Sequence, residues 1–315
     1  MKTWHNWLLA ITAATTLSAC GGGHDDPAPP GNILQVAQAN GFTALAAAAN
    51  KAGLNATLSD SAASLTVFAP TDAAFNTLAT RLGFANATAL VNALPATALA
   101  SILTYHVLPA RKTAAQLTSG GATQPTAYSF GGSPATLALN TSSGVVITDG
   151  VLTTASVSSA DVPASNGIVH VVDKVLIPPG VLNIVQTAQA NPIFSKLVDA
   201  VVAANLQATL SGAGPFTVFA PTDTAFTAIA STVAGLTTAQ LAKVLTYHVL
   251  PSQVLAANIP FGTPILTVAG QNITINASPL RITDTTATTA PIVATNVRAS
   301  NGVIHVISKV LIPVL

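Results

Sequence analysis

The residues able to do chemistry are few, and they come in matched sets. Tyr105-His106 is echoed by Tyr247-His248 and His170 by His305, and each set carries one aspartate, Asp72 or Asp223, ahead of an alanine and a phenylalanine. A histidine, a carboxylate and a nearby Ser165 or Ser300 would be the material of a hydrolase. The spacing does not support that chemistry. No Gly-x-Ser-x-Gly elbow presents a serine nucleophile, and no paired carboxylates are placed for glycoside hydrolysis in a chain that has no glutamate. A zinc centre needs three or four convergent ligands, and no His-x-x-x-His spacing occurs. His24 with Asp25 and Asp26 lies among glycines and prolines that fix no geometry. The expectation is a non-catalytic chain with no cofactor. His106 bonds Asp72 or a main-chain carbonyl, and His170 and His305 are structural. An alternative assigns Tyr105-His106 to an adhesive patch, since exposed aromatic side chains mark binding surfaces.

The elements that position these residues are duplicated. LTVFAPTDAAF at 65–75 returns as FTVFAPTDTAF at 216–226, and NILQVAQAN at 32–40 as NIVQTAQAN at 183–191. LTYHVLPA at 103–110 returns as LTYHVLPS at 245–252, and ASNGIVHVVDKVLIP at 164–178 as ASNGVIHVISKVLIP at 299–313. Copies separated by well over a hundred residues are whole domains rather than solenoid repeats of about 20–50 residues. Each copy opens with short helices from Asn32 or Asn183, then Phe42 to Leu54 or Phe194 to Leu206. A strand over Leu65 to Ala69 meets a helix start at Thr71-Asp72, whose side-chain oxygens accept the unpaired amides there. Pro95 opens a further helix to about Leu103, and Tyr105 to Leu108 alternates as a strand, placing Tyr105 and His106 on opposite faces. The second half of each copy is β-rich, and Asn166-Gly167 and Asn301-Gly302 predict type I′ turns. Helices first and strands later is an α+β order. Phe42, Phe75, Phe194 and Phe226 are expected in the cores.

The N-terminus belongs to neither copy. A weakly basic start, an apolar run from Trp7 to Leu17 and Leu17-Ser18-Ala19-Cys20 resemble a bacterial lipoprotein signal. That reading divides the chain into a signal at 1–19, a flexible tether at 20–31 and domains at 32–179 and 183–315, joined by a linker at 180–182. Cys20, the lone cysteine, becomes the lipid-bearing residue and membrane anchor, without a spanning segment. Gly21 lacks the aspartate that favours inner-membrane retention, so the expected location is the bacterial cell envelope, on the outer membrane or facing the periplasm. Without Lys2 the positive and negative charges balance, which argues against nucleic acid and anionic lipid headgroups as partners. The most apolar stretch, 87–108, is broken by Asn92, Pro95, Ser101 and His106, so it reads as core rather than a membrane span. The five Asn-x-Ser/Thr triplets, beginning with Asn55 and Asn86, are read as composition.

Taken together, TVFAPTD-x-AF, the Tyr-His pairs and NG-x-[IV]-H-V-x-x-x-V-L-x-P resemble the fasciclin domain family in both copies, over roughly 32–315. The resemblance implies two tandem domains, each a compact wedge of two small β-sheets with helices packed on one side. It also implies adhesion, with a cell-surface or matrix protein or a glycan as partner. The integrin motifs of some animal members have no counterpart here, since Arg-Gly-Asp is absent. A carrier of a small apolar ligand or lipid is the second reading, and a hydrolase a remote third.

Overall fold

The computed structural model describes residues 30–142 and 144–315, so the signal, Cys20 and nearly all of the tether lie outside the described residues. Module 1 runs α1 (Ile33–Ala39), α2 (Thr43–Lys51), α3 (Asn55–Ser59), β1 (Leu65–Pro70), α4 (Asp72–Arg81), α5 (Ala87–Ala93), α6 (Ala96–Tyr105), β2 (Val107–Leu108) and α7 (Ala114–Ser119). The sheet-rich half follows as β3 (Thr123–Phe130), β4 (Ser133–Asn140), β5 (Val146–Thr148), β6 (Thr154–Ala164) and β7 (Gly167–Val172). Module 2 repeats the plan with α8 (Ile184–Ala190), α9 (Ser195–Ala203), α10 (Gln207–Leu210), β8 (Phe216–Pro221), α11 (Asp223–Ala228), α12 (Ala230–Ala234), α13 (Thr238–Tyr247) and β9 (Val249–Leu250). It closes with β10 (Pro264–Leu266), β11 (Asn272–Ala277), β12 (Leu280–Thr283), β13 (Ala290–Ala299) and β14 (Gly302–Ile307).

Local chemistry explains the helix starts. Asn32 and Asn183 each accept the amide of the glutamine three residues on, and that glutamine caps the asparagine in return. Thr71 and Thr222 accept the amides of Ala74 and Ala225 at the starts of α4 and α11. The apolar 87–108 stretch becomes two helices meeting at 117°, with Leu90, Leu99, Ile102 and Leu103 buried. Among the described residues no single helix is long and apolar enough to cross a membrane.

Each module is α+β. Its strands join in one seven-stranded sheet, in the order β2-β1-β7-β6-β5-β4-β3 and its module 2 counterpart β10-β11-β12-β13-β14-β8-β9. The two small sheets expected from the resemblance are thus continuous, because the eleven-residue β6 pairs with β5 at one end and β7 at the other, with two register shifts. β1 and β7 are parallel and central, with Phe68 opposite His170, and β8 and β14 repeat this with Phe219 opposite His305. Strand alternation divides the core. Val67 and Ala69 join the helix-side core, while Phe68 points into a second core with Tyr105, Leu137 and Ile147. Fully burying a side chain such as Phe68 contributes about 1.5–3 kcal/mol.

Two expectations about turns and strands are corrected. Tyr105 ends α6 and His106 caps it, so the strand begins only at Val107 and both side chains are buried. The β6–β7 turn spans Ser165 and Asn166, neither with positive φ, and Gly167 already pairs with Ala164. Gly167 is required by close approach instead. A Cβ there would lie 2.3 Å from the Leu65 carbonyl oxygen, and one on Gly302 would lie 2.1 Å from that of Phe216. The type I′ geometry occurs at Gly131-Gly132, where both φ values are positive and β3 turns directly into β4.

The connection between modules is held on both sides. Tyr128 donates its hydroxyl to the Pro179 carbonyl at 3.1 Å, and the Gly180 amide donates to the Arg298 carbonyl at 3.0 Å. The Arg298 guanidinium lies 5.4 Å from the centre of the Phe130 ring, a cation–π contact across the boundary. Asn191 of module 2 donates its side-chain amide to the Val151 carbonyl of module 1 at 2.8 Å, in a buried position.

Candidate functional site

The histidines are committed to the main chain. His106 Nδ1 lies 2.7 Å from the Ile102 carbonyl and so carries the proton, and Nε2 accepts the Leu176 amide at 2.9 Å. His248 repeats this with the Val244 carbonyl at 2.8 Å and the Leu311 amide at 2.8 Å. The carbonyl branch of the expectation describes His106, and Asp72 takes no part. Burial holds both imidazoles neutral, with pKa values lowered to about 4. Each histidine therefore clamps the final segment of its module onto the end of α6 or α13.

His170 and His305 behave similarly. His170 Nε2 donates to the Lys112 carbonyl at 3.0 Å, and Nδ1 accepts the Asp161 amide at 3.2 Å. His305 donates to the Val254 carbonyl at 2.9 Å and accepts from the Asn296 amide at 3.4 Å. The rings stack on Phe68 and Phe219, with centroids 5.7 Å apart in each module. All four rings thus have both nitrogens engaged by the main chain, leaving neither for a serine or a water. Among the described residues, no three metal-ligating side chains converge.

The remaining candidates are also architectural. The Tyr105 hydroxyl donates to the Thr136 carbonyl at 2.9 Å and that of Tyr247 to the Asn272 carbonyl at 2.8 Å, fastening the helix end to the sheet. Burial raises both phenols, Tyr247 to about 12. Asp72, at the first position of α4, accepts the Ala44 amide at 2.9 Å and the Thr43 hydroxyl, so it caps α2 from another helix. Asp223 does the same for α9 through the Lys196 amide at 2.8 Å. The structure brings Tyr105 and His106 side by side in chain but into different cores, and Asp72 stands apart on the helical side.

Sequence reasoning missed two groups. Asn166 is buried and makes three bonds, accepting the Ile33 amide and donating to the Leu58 and Asp60 carbonyls, each at 2.9 Å; Asn301 repeats the set. The Asn-Gly signal was visible, but it stood for this knot and not for backbone conformation. The second group is Asp149 with its counterpart Asp284, marked in sequence only by Ile-Thr-Asp at 147–149 and 282–284. Asp149 is buried and accepts the Val151, Thr153 and Ile177 amides and the Thr153 hydroxyl, with no cation in the set; burial raises its pKa to about 6. Asp284 has a similar shell but also pairs with Lys309 at 3.0 Å. Its burial opposes ionisation, yet the bonds from Thr286, Ile312 and Lys309 prevail and hold its pKa below the usual carboxylate value. Lys174, in the place of Lys309, donates instead to the Thr154 carbonyl at 2.6 Å.

The differences between copies at Asp161 and Asn296 do not separate their work. Both residues have positive φ, at 59° and 61°, and both accept the amide of an alanine, Ala114 or Ala256, at 2.9 Å. The change from Pro163 to Arg298 matters more, since Arg298 reaches Phe130 across the module boundary.

The carrier reading puts its ligand between helices and sheet, where the apolar spaces beside His106 and His248 measure about 20 and 30 Å³. That is room for about one water, against roughly 300–1,000 Å³ for a typical small-molecule site.

Known proteins place this fold. The Fasciclin domain model matches residues 40–178 and 192–313. Protein sll1483 of Synechocystis sp. is 43% identical over 137 residues, covering 42% of this chain and 74% of that protein. Protein sll1735 of the same organism is 39% identical over 133 residues, covering 41% of this chain and 97% of that one. Transforming growth factor-beta-induced protein ig-h3 of Sus scrofa is 34% identical over 158 residues, 49% of this chain but only 22% of that protein. A FAS1 domain pair from the insect cell adhesion molecule Fasciclin I aligns with 90% of this chain and 95% of its own, at 20% identity and a TM-score of 0.44. Matched in both of its modules, the chain belongs to the fasciclin domain family.

Proposed function

We propose that this chain is a non-catalytic interaction module of the bacterial cell envelope. It is anchored through a lipid on Cys20 and binds cell-surface or matrix proteins or glycans. Fasciclin domains occur in cell-adhesion proteins, which supports the interaction part of the reading. The observation that carries it is the use to which the duplicated polar residues are put. Both copies direct Tyr105, His106, Asn166 and their counterparts at main-chain groups within the fold, so these hold the module together and leave recognition to the surface. Module 2 exposes Phe261, Leu266 and Val268 around its edge strand β10, the kind of apolar surface that interaction proteins present. The balanced charge of the chain beyond Lys2 supports partners other than nucleic acid.

The test compares attachment of a parent strain, a deletion strain, and the deletion complemented with Cys20→Ala behind a cleavable signal. The expected result is poor attachment by the deletion and no rescue by the released form. Equal attachment by all three would overturn the adhesive reading. Protection of the protein from protease added to intact cells would overturn surface placement.

A further inference from the structure

The two modules differ most instructively where their helices meet. In module 1, α2, α4 and α5 enclose a groove of about 360 Å³ with Thr43, Asp72, Asn76, Asn86, Thr88 and Asn92 along its walls. In module 2 the cleft among α9, α11, α12 and α13, about 470 Å³, is walled instead by Phe226, Val233, Leu241 and alanines, with Lys196 and Asp199 beside them. The copies keep the same capping aspartate, Asp72 or Asp223, yet one groove is rich in amides and the other apolar.

We propose that the module 1 groove is a binding site for neutral oligosaccharide. Its polar groups are held in place by the fold. The Asn76 side-chain oxygen Oδ1 accepts the Ala87 amide at 2.8 Å, and Oδ1 of Asn86 accepts the Ala89 amide at 2.9 Å. Each of these side chains is thereby oriented with its NH₂ group left as a donor that has no partner among the described residues. Asp72 is fixed by Thr43 and the Ala44 amide, and each carboxylate oxygen retains acceptor capacity. Sugar hydroxyls both donate and accept, so vicinal pairs match amide donors beside a carboxylate. Ala47 and Val91 give an apolar floor for the C–H face of a ring. No lysine or arginine lines the groove, and Lys51 directs its ammonium to the Val91 and Asn92 carbonyls. A uronic acid or phosphate would meet Asp72 without a counter-charge, so the preference is for uncharged sugars. The volume lies within the range of small-ligand sites.

This inference rests on the interaction reading above and names a class of partner for it. The test uses the full chain in its released Cys20→Ala form, titrated with neutral gluco-, galacto-, manno- and N-acetylglucosamine oligosaccharides and with their uronic-acid counterparts, followed by amide NMR. The expected result is millimolar binding of at least one neutral series, little affected by salt, with shifts at Ala44, Ala87 and Ala89. Uronic-acid forms should bind at least about tenfold more weakly. Ala47→Trp, which fills the groove from an exposed helix position, should abolish binding with the melting temperature unchanged; Thr88→Ala and Asn92→Ala should weaken it several-fold. Binding that survives Ala47→Trp, shifts that map elsewhere, or no binding by any neutral series would overturn the site. If the purified chain binds no sugar while the deletion strain still attaches poorly, the groove fails and the interaction reading stands. Sugar binding with attachment unchanged in the deletion strain gives the reverse.

Discussion

Acid should open module 2 before module 1. His106 and His248 are buried neutral with pKa values lowered to about 4 from 6.5. A base whose folded pKa is depressed contributes stability that is present above pH 6.5 and lost as the pH falls toward 4. At pH 4.5 the loss relative to neutrality is about 2 kcal/mol for each histidine. In module 1, Asp149 works in the opposite direction. Its folded pKa of about 6 exceeds the ordinary carboxylate value of 3.8, so acidification through pH 6 relieves the cost of a buried, uncompensated carboxylate. The gain at pH 4.5 is again about 2 kcal/mol, and the two effects nearly cancel. Module 2 has no such relief. Asp284, paired with Lys309, has a pKa below the ordinary 3.8, so it stays ionised down to pH 4.5, offers no offset there and loses its own contribution only at lower pH. His305, also lowered by burial, adds to the histidine loss. Hydrogen exchange read by mass spectrometry, corrected for intrinsic rates, separates peptides of β7 from those of β14. Opening of module 2 should increase about thirtyfold or more between pH 7 and 4.5, and module 1 should change by less than about 1 kcal/mol. Equal changes in both modules, or earlier opening of module 1, would refute the assignment of opposite signs to Asp149 and Asp284.

Other perturbations test the framework. Asn166→Ala removes three buried bonds and strands the Ile33 amide, so denaturant melts should report a loss of about 2–4 kcal/mol in module 1, with Asn301→Ala acting alike in module 2. Gly167→Ala forces a methyl group against the Leu65 carbonyl and should cost at least about 1–3 kcal/mol by the same assay, or leave the module unfolded. His106→Ala should weaken module 1 by a comparable amount without abolishing the fold, because the Leu176 amide loses its buried acceptor. Phe130→Ala should leave the melting of each module nearly unchanged but broaden the distribution of intermodule distances measured by spin-label spectroscopy, since it removes the Arg298 contact.

Much of this architecture could be read from spacing. Helix starts at Asn32, Thr71 and Asn183 were legible because a cap is a local event, settled within three or four residues. The duplication exposed the module length and the order of its elements. What escaped was set by distance in sequence. Tyr105 and His106 look like alternating strand residues, but the chain reverses between them from helix to strand, and the partner of His106 at Leu176 lies 70 residues away. Asn166-Gly167 carries the composition of a tight turn, yet its asparagine bonds to segments more than a hundred residues earlier and its glycine yields to the neighbouring strand. Local propensity cannot distinguish those causes, because each gives the same two letters. Asp149 was invisible for a further reason. A single aspartate before a glycine is an ordinary turn residue until the return of Ile177 closes over it.

The duplication also works as a control within one molecule. A residue kept in both copies with the same main-chain partners has a structural explanation, and that applies to the histidines, tyrosines, capping aspartates and buried asparagines alike. Where the sequence changes but the bond survives, as from Asp161 to Asn296, the change is neutral to the fold. What remains is a short set of positions where both the residue and its contacts differ. Lys309 reaches Asp284 while Lys174 turns away from Asp149, Arg298 crosses to Phe130, and the amides around Asp72 give way to an apolar wall near Phe226. The first difference divides acid sensitivity between the modules and the second fixes their relative placement. The third gives the copies different surfaces to present, so recognition should divide along it, with module 1 taking polar ligands and module 2 acting as its spacer or as a separate apolar contact.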